Sequence, residues 1–274
     1  MKLFSQILSY ALPLLYLGVI YFYYLIFTGK DKRLLNKTTG LLIGLLFIHA
    51  VEIISRLVAL NAIPLSTTHD AFSFLAFSIL FVYMILELSL KNKGSGLFIL
   101  SFAFIFELVS SFNVSWTLET NPLLKDPSFA IHASVSIMGY TALALSALYA
   151  LMYILQNRNI KKRNLGKLFM QLPAISYLEK MSARSVFIGI ILLGIGILQG
   201  HLEAYDVMGS FWQNDIKVIV IDTIWIIYLI GYSASRLMRW RGIYMAYFSI
   251  FGFLVLILGG SMVIYVSESF HSFY

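Results

Sequence analysis

Long apolar runs alternate along this chain with short polar connectors, and the period of the alternation is that of membrane spans. A bilayer core about 30 Å thick takes about 20 apolar helical residues to cross. Eight stretches approach or exceed that length: residues 7–28, 39–60, 71–90, 96–112, 129–155, 185–204, 216–235 and 243–266. The fourth is the shortest. The first is too long for the apolar core of a signal peptide and no small-residue cleavage site follows it, so it reads as a retained span. The pattern predicts an all-α polytopic membrane protein with about eight transmembrane helices, organised as a single integral-membrane domain over 1–274 with no evident repeat.

Charge gives this pattern a direction. Of the 20 Lys and Arg residues, sixteen fall in alternate connectors, among them Lys30, Lys93, Arg158, Lys162, Arg184, Arg236 and Arg241. The other connectors carry Glu119, Asp126, Glu203, Asp206 and Asp215. Basic loops stay cytoplasmic, so both termini are expected on the outer side. The stretch 156–184 then reads as a basic cytoplasmic connector, and 200–217 as an outer aromatic loop.

Composition narrows the classes further. With 59% apolar residues, 12% charged and a mean hydropathy of +0.84, the chain needs lipid as its solvent. The net charge of +7 is a membrane-topology signal and does not point to nucleic acid. The absence of cysteine excludes disulfides, thiolate metal sites and cysteine nucleophiles. Any cofactor must therefore be held by His, carboxylate, Met or Tyr. The spacing Gly196–Gly200, and Gly252, Gly259 and Gly260, suit close helix packing. No paired interruption of helices suggests a transporter.

Histidine is the strongest ligand available, and there are five. His69, His132, His201 and His271 all fall near the outer ends of spans. Each reads as an interfacial side chain or as an axial ligand for haem iron. His49 lies near mid-span and shares a helical face with Glu52 and Arg56. That trio is a structural Glu52–Arg56 pair with a hydrogen-bonded imidazole, or a site for a carboxylate-bearing molecule. Glu107 and Asp222 are further acids inside spans, expected to pair with other helices. Tyr205, Phe211 and Trp212 in the outer loop suit both an interfacial belt and a stacking surface.

Several segments together resemble the CcsA family of System II cytochrome c synthases, related to HemX-like haem-handling proteins. Residues 45–77 are similar to the family stretch in which a membrane histidine precedes an Arg and a Pro-Leu-Ser motif, here His49, Arg56, Pro64, Leu65 and Ser66. His69 and Asp70 stand where the family often has Tyr and Glu. The stretch 131–140 resembles the segment around the family's first external histidine, here His132 with Gly139 and Tyr140. Trp240, Arg241 and Gly242 resemble its Trp-Arg-Gly, and 270–273 its terminal histidine segment, on His271.

The resemblance implies a multi-pass protein of the bacterial inner membrane that carries haem b as cargo. His49 would be an inner ligand, His132 and His271 an outer axial pair beneath the aromatic loop, and an apocytochrome c the acceptor. Trp212, Asp215 and Lys217 keep part of the family's tryptophan-rich motif. Two tryptophans, the Pro and the Glu are replaced by Met208, Asn214, Ile216 and Val218, and Ser233 stands where a second membrane histidine falls. His201 or His69 is the available substitute ligand. No large external domain is read here, so a separate CcsB-like membrane protein is implied, with this chain a possible subunit of a haem lyase. The alternative is a non-catalytic HemX-like haem-binding or regulatory protein, which the lost tryptophans favour.

Overall fold

The computed structural model describes residues 2–29, 35–60, 67–90, 93–116, 127–163, 166, 169–170, 172–212 and 214–271, the side chains of 35–36, 86, 89–90, 127, 129–130, 207–208 and 260–271 excepted. Among the described residues eight long helices run in order: α1 Lys2–Phe27, α2 Leu35–Leu60, α3 Thr68–Leu90, α4 Gly96–Phe112, α5 Pro127–Lys161, α6 Ile175–Met208, α7 Ile216–Leu237 and α8 Ile243–His271. Among the described residues there is no strand. Six helices contain segments long and apolar enough to cross a membrane: Lys2–Phe27, Lys37–Leu60, Thr68–Ile85, Ile131–Lys161, Ile175–Asp206 and Ile216–Leu237. Among the described residues, the apolar segments Gly96–Phe112 on α4 and Ile243–Gly259 on α8 are shorter. The protein is therefore an all-helical, multi-pass membrane protein.

Each of the eight apolar runs lies on a helix, but several helices outrun their apolar segments. Hydropathy marks what lipid can solvate, whereas an amphipathic helix continues into the interface. Helix α5 carries on through Asn157 and Arg158 to Lys161, and α6 starts at Ile175, ten residues before its apolar run. Most of the basic connector 156–184 is thus the ends of two helices. Similarly α6 extends to Met208, so the aromatic loop read over 200–217 shortens to the segment between Gly209 and Asp215. Pro64, Leu65 and Ser66, together with Lys30, Glu119 and Asp126, lie outside the described residues.

The contacts group the chain into two compact units, Met1–Ile137 with Arg163–Pro173, and Met138–Lys162 with Ala174–Tyr274. In the first, α1 packs on α2 and α4, and α3 packs on the same two helices, closing a ring of four. Its middle is an apolar layer of Leu42, Leu45, Ala76, Ile79, Leu80, Ile99, Leu100 and Ala103, all buried. Lipid tails are as apolar as leucine, so burial alone does not drive such helices together; close packing and interhelical hydrogen bonds do. Below the layer, Glu87 accepts hydrogen bonds from Tyr23 and Tyr83 and from Thr39 at 2.7 Å. Lys93 Nζ donates to Thr38 and Thr39 at 2.8 Å each, so every headgroup in this inner cluster has a partner.

In the second unit α6, α7 and α8 pack on one another. Ser146 Oγ on α5 donates to the carbonyl of Ser182 on α6 at 3.0 Å, and Ser182 Oγ lies 2.9 Å from Ser249 Oγ on α8. Helices α5 and α6 touch at Gly139, where a Cβ would stand 2.8 Å from the backbone nitrogen of Leu193. The Trp-Arg-Gly segment forms the turn between α7 and α8. Gly242 takes a φ of 62°, and its N–H donates to Glu179 Oε1 at 2.7 Å.

Candidate functional site

The first unit keeps its unusual chemistry above the apolar layer, in the interior of the four-helix ring. His49 reaches there from α2 and is fully buried. Its Nδ1 lies 3.0 Å from Tyr16 Oη on α1, and its Nε2 lies 2.8 Å from Ser73 Oγ on α3. Glu107 Oε2 on α4 stands 3.5 Å from the same Nε2, within ion-pair range but beyond a good hydrogen bond. All four helices therefore converge on one imidazole, and both of its ring nitrogens are engaged.

A turn farther along α2, Glu52 Oε1 accepts from Ser9 Oγ at 2.7 Å and lies 3.4 Å from His69 Nε2. The other nitrogen of His69 is 2.7 Å from Ser110 Oγ. A turn beyond that, Arg56 Nε donates to Asp70 Oδ1 at 2.6 Å, and Nη2 donates to the Ser115 carbonyl at 3.1 Å. The guanidinium carbon lies 4.8 Å from the centre of the Trp116 ring, a cation–π distance. Asp70 is fixed in turn by Thr67, whose N–H and hydroxyl donate to Oδ2 at 3.0 and 2.8 Å.

Two expectations are corrected here. Arg56 pairs with Asp70 and not with Glu52, because Glu52 turns toward Ser9 and His69. His69 is not at the surface: it opens α3 but points into the ring with no exposure, and its nitrogens are taken by Ser110 and Glu52. Glu107 does meet another helix, as expected, through His49. Ser9, Tyr16, Ser73 and Ser110 escaped the sequence reading. A signal was present for two of them, since Ser9, Tyr16 and Tyr23 repeat every seven residues on one face of α1.

The cluster is not fully satisfied. Glu52 Oε2, Arg56 Nη1 and both carboxyl oxygens of Glu107 are buried without a hydrogen-bond partner. Such orphan groups are costly in low dielectric and commonly mark a place where something binds. Among the described residues, no three His, Asp or Glu side chains are disposed to hold a metal ion.

The remaining sequence-derived candidates lie elsewhere. His132 is partly buried on α5 and engaged by neighbours. His271 ends α8, and its side chain lies outside the described residues. Ser233 is exposed on α7. Asp215 caps α7, accepting from the Lys217 N–H at 2.8 Å. Trp212 is 71% exposed on the loop between α6 and α7, with its ring centre 5.1 Å from that of His201. His201, expected near the surface, is only 7% exposed, and its Nε2 lies 3.0 Å from Asp222 Oδ2. Asp222 thus pairs with a neighbouring helix, as expected.

Comparison with known proteins gives this arrangement a context. Residues 7–271 match the model of the family described as Cytochrome C assembly protein. The chain is 24% identical over 249 residues to the cytochrome c biogenesis protein CcsA of Heterosigma akashiwo, covering 78% of this chain and 77% of the relative. It is 25% identical over 276 residues to the CcsA of Chlorella vulgaris, covering 88% and 87%. It is 20% identical over 261 residues to the protein HemX of Brevibacillus brevis, covering 95% of each. A match over nearly the whole length, carried by a bundle that buries His49 and Arg56 at membrane depth, shows that the chain belongs to the cytochrome C assembly protein family as a divergent relative of CcsA, with a role in cytochrome c biogenesis.

Proposed function

We propose that this protein takes up haem b within the bacterial inner membrane and presents it at the outer face for attachment to an apocytochrome c, alongside a CcsB-like membrane protein. All eight helices cross the bilayer, and both termini face outward. The observation that carries the reading is the retention of His132 and His271, in the order and setting the CcsA resemblance requires, within a chain matched to the family over residues 7–271. By that resemblance, each of these imidazoles would serve as a ligand to haem iron at the outer face.

His49 is the inner ligand. Its Nε2, which faces Ser73 Oγ at 2.8 Å and Glu107 Oε2 at 3.5 Å, is the nitrogen that would meet the iron. Arg56 then offers its unused Nη1 to a haem propionate, a charge-assisted hydrogen bond of the strong kind. Trp212 supplies a face for the ring, and Asp215 anchors the end of its loop as the cap of α7. Bond-making belongs to haem and acceptor, whose cysteine thiols add across the vinyl groups. The polypeptide contributes orientation, which converts an encounter between two partners into a local event.

The test is co-expression with a CcsB-like partner and an apocytochrome bearing Cys-x-x-Cys-His, with covalent haem read by peroxidase staining after denaturing electrophoresis. The wild-type chain is expected to yield haem-stained cytochrome, and His132→Ala and His271→Ala to lower it at least tenfold. A second reading, a HemX-like protein that binds haem without transferring it, draws on the relative aligned over 95% of both chains and on the replaced tryptophans. Bound haem without covalent product, in the presence of the partner, would select that reading.

A further inference from the structure

The outer loop of the second unit has lost two of the family's tryptophans, yet its remaining Trp212 is not a loose side chain. Gly209 ends α6 in a left-handed conformation, and Ser210 Oγ donates to the Trp212 carbonyl at 2.8 Å. His201, a helical turn or more back on α6, lies beneath the loop. Its ring is stacked on Phe211 with centres 5.0 Å apart and planes 23° from parallel, and it stands 5.1 Å from Trp212. Phe211 and Trp212 themselves meet edge to face at 5.5 Å. Three aromatic rings thus form one cluster, of which Trp212 is exposed and His201 is buried.

What fixes the cluster is polar. His201 Nδ1 lies 3.0 Å from the Phe211 carbonyl oxygen, which ties the ring to the loop. Its Nε2 lies 3.0 Å from Asp222 Oδ2 on α7, which ties the ring to the next helix. Each nitrogen thus faces an oxygen of the loop or of the next helix. Held at both nitrogens, the ring is placed to support the loop above it.

We propose that His201, held by Asp222, is a positioning residue that sets the exposed face of Trp212 as a platform for the flat face of a porphyrin. This rests on the haem-presentation reading and adds to it two residues, His201 and Asp222, on which that reading does not depend.

The experiment uses the full chain in detergent and two probes, hemin and metal-free protoporphyrin IX, titrated by absorbance. His201→Ala and Trp212→Ala are each expected to weaken both probes about tenfold, the scale of one lost ring stack. The double variant is expected to be no weaker than Trp212→Ala, because His201 acts through that ring. Asp222→Asn should give a smaller loss in the same direction, while the bound hemin keeps its wild-type spectrum in every variant. His132→Ala, by contrast, should affect hemin and spare the metal-free ring.

A hemin spectrum altered by His201→Ala would make the residue an iron ligand and overturn the proposal. Unchanged affinity for both probes in His201→Ala and Trp212→Ala would leave Trp212 an interfacial side chain and overturn the platform alone, with hemin binding and its dependence on His132 intact. A wild-type chain that binds neither probe would overturn the platform and the haem reading together.

Discussion

At the scale of single residues, the first unit shows how a charge is kept inside a membrane bundle. Arg56 is 1% exposed, and its countercharge is Asp70 at 2.6 Å. Removing one member of a buried pair leaves the other uncompensated, which costs about 3–5 kcal/mol, whereas replacing both with apolar groups is often neutral. Asp70→Asn is therefore expected to lower the thermal unfolding temperature in detergent, and adding Arg56→Met to recover most of that loss. Equal stability of the single variant and wild type would mean that the pair carries no such stabilisation. The sequence singled out Arg56, and its structural reading of that residue offered the wrong partner. Helical spacing pointed to Glu52, four residues before it, while Asp70 approaches from another helix at a distance that spacing along one helix does not encode.

At the scale of elements, the apolar pattern located each of the eight helices, because lipid allows few alternatives for a backbone that must satisfy itself. It misjudged how far α5 and α6 run, since their ends are held by polar and aromatic contacts such as Glu179 with Gly242. The convergence of Tyr16 and Ser73 on His49, with Glu107 beside them, was also beyond it, because hydroxyls on two other helices leave no mark in composition. Helix contact gives a direct test. Gly139 faces the backbone of Leu193, so Gly139→Val is expected to force α5 from α6 at a cost of about 1–3 kcal/mol. Gly18 has nothing within 4 Å of a Cβ, so Gly18→Ala should leave stability unchanged or slightly raised. Comparable unfolding midpoints for the two variants would contradict the close α5–α6 packing.

At the scale of the whole molecule, orientation and cargo are the claims that matter. The absence of native cysteine makes orientation simple to measure. A single cysteine at Asn214 should react with a membrane-impermeant maleimide in intact spheroplasts, and one at Lys162 only after lysis; the reverse would invert the topology. Cargo is tested most directly by the absorption spectrum of the detergent-purified protein, oxidised and dithionite-reduced, with a pyridine haemochrome assay to count haem. The expected result is co-purified b-type haem with a low-spin, two-nitrogen spectrum that His132→Ala and His271→Ala each abolish at unchanged expression. A protein that stays haem-free after expression with added haem, or variants that keep the wild-type spectrum, would contradict the assignment of haem to these two histidines.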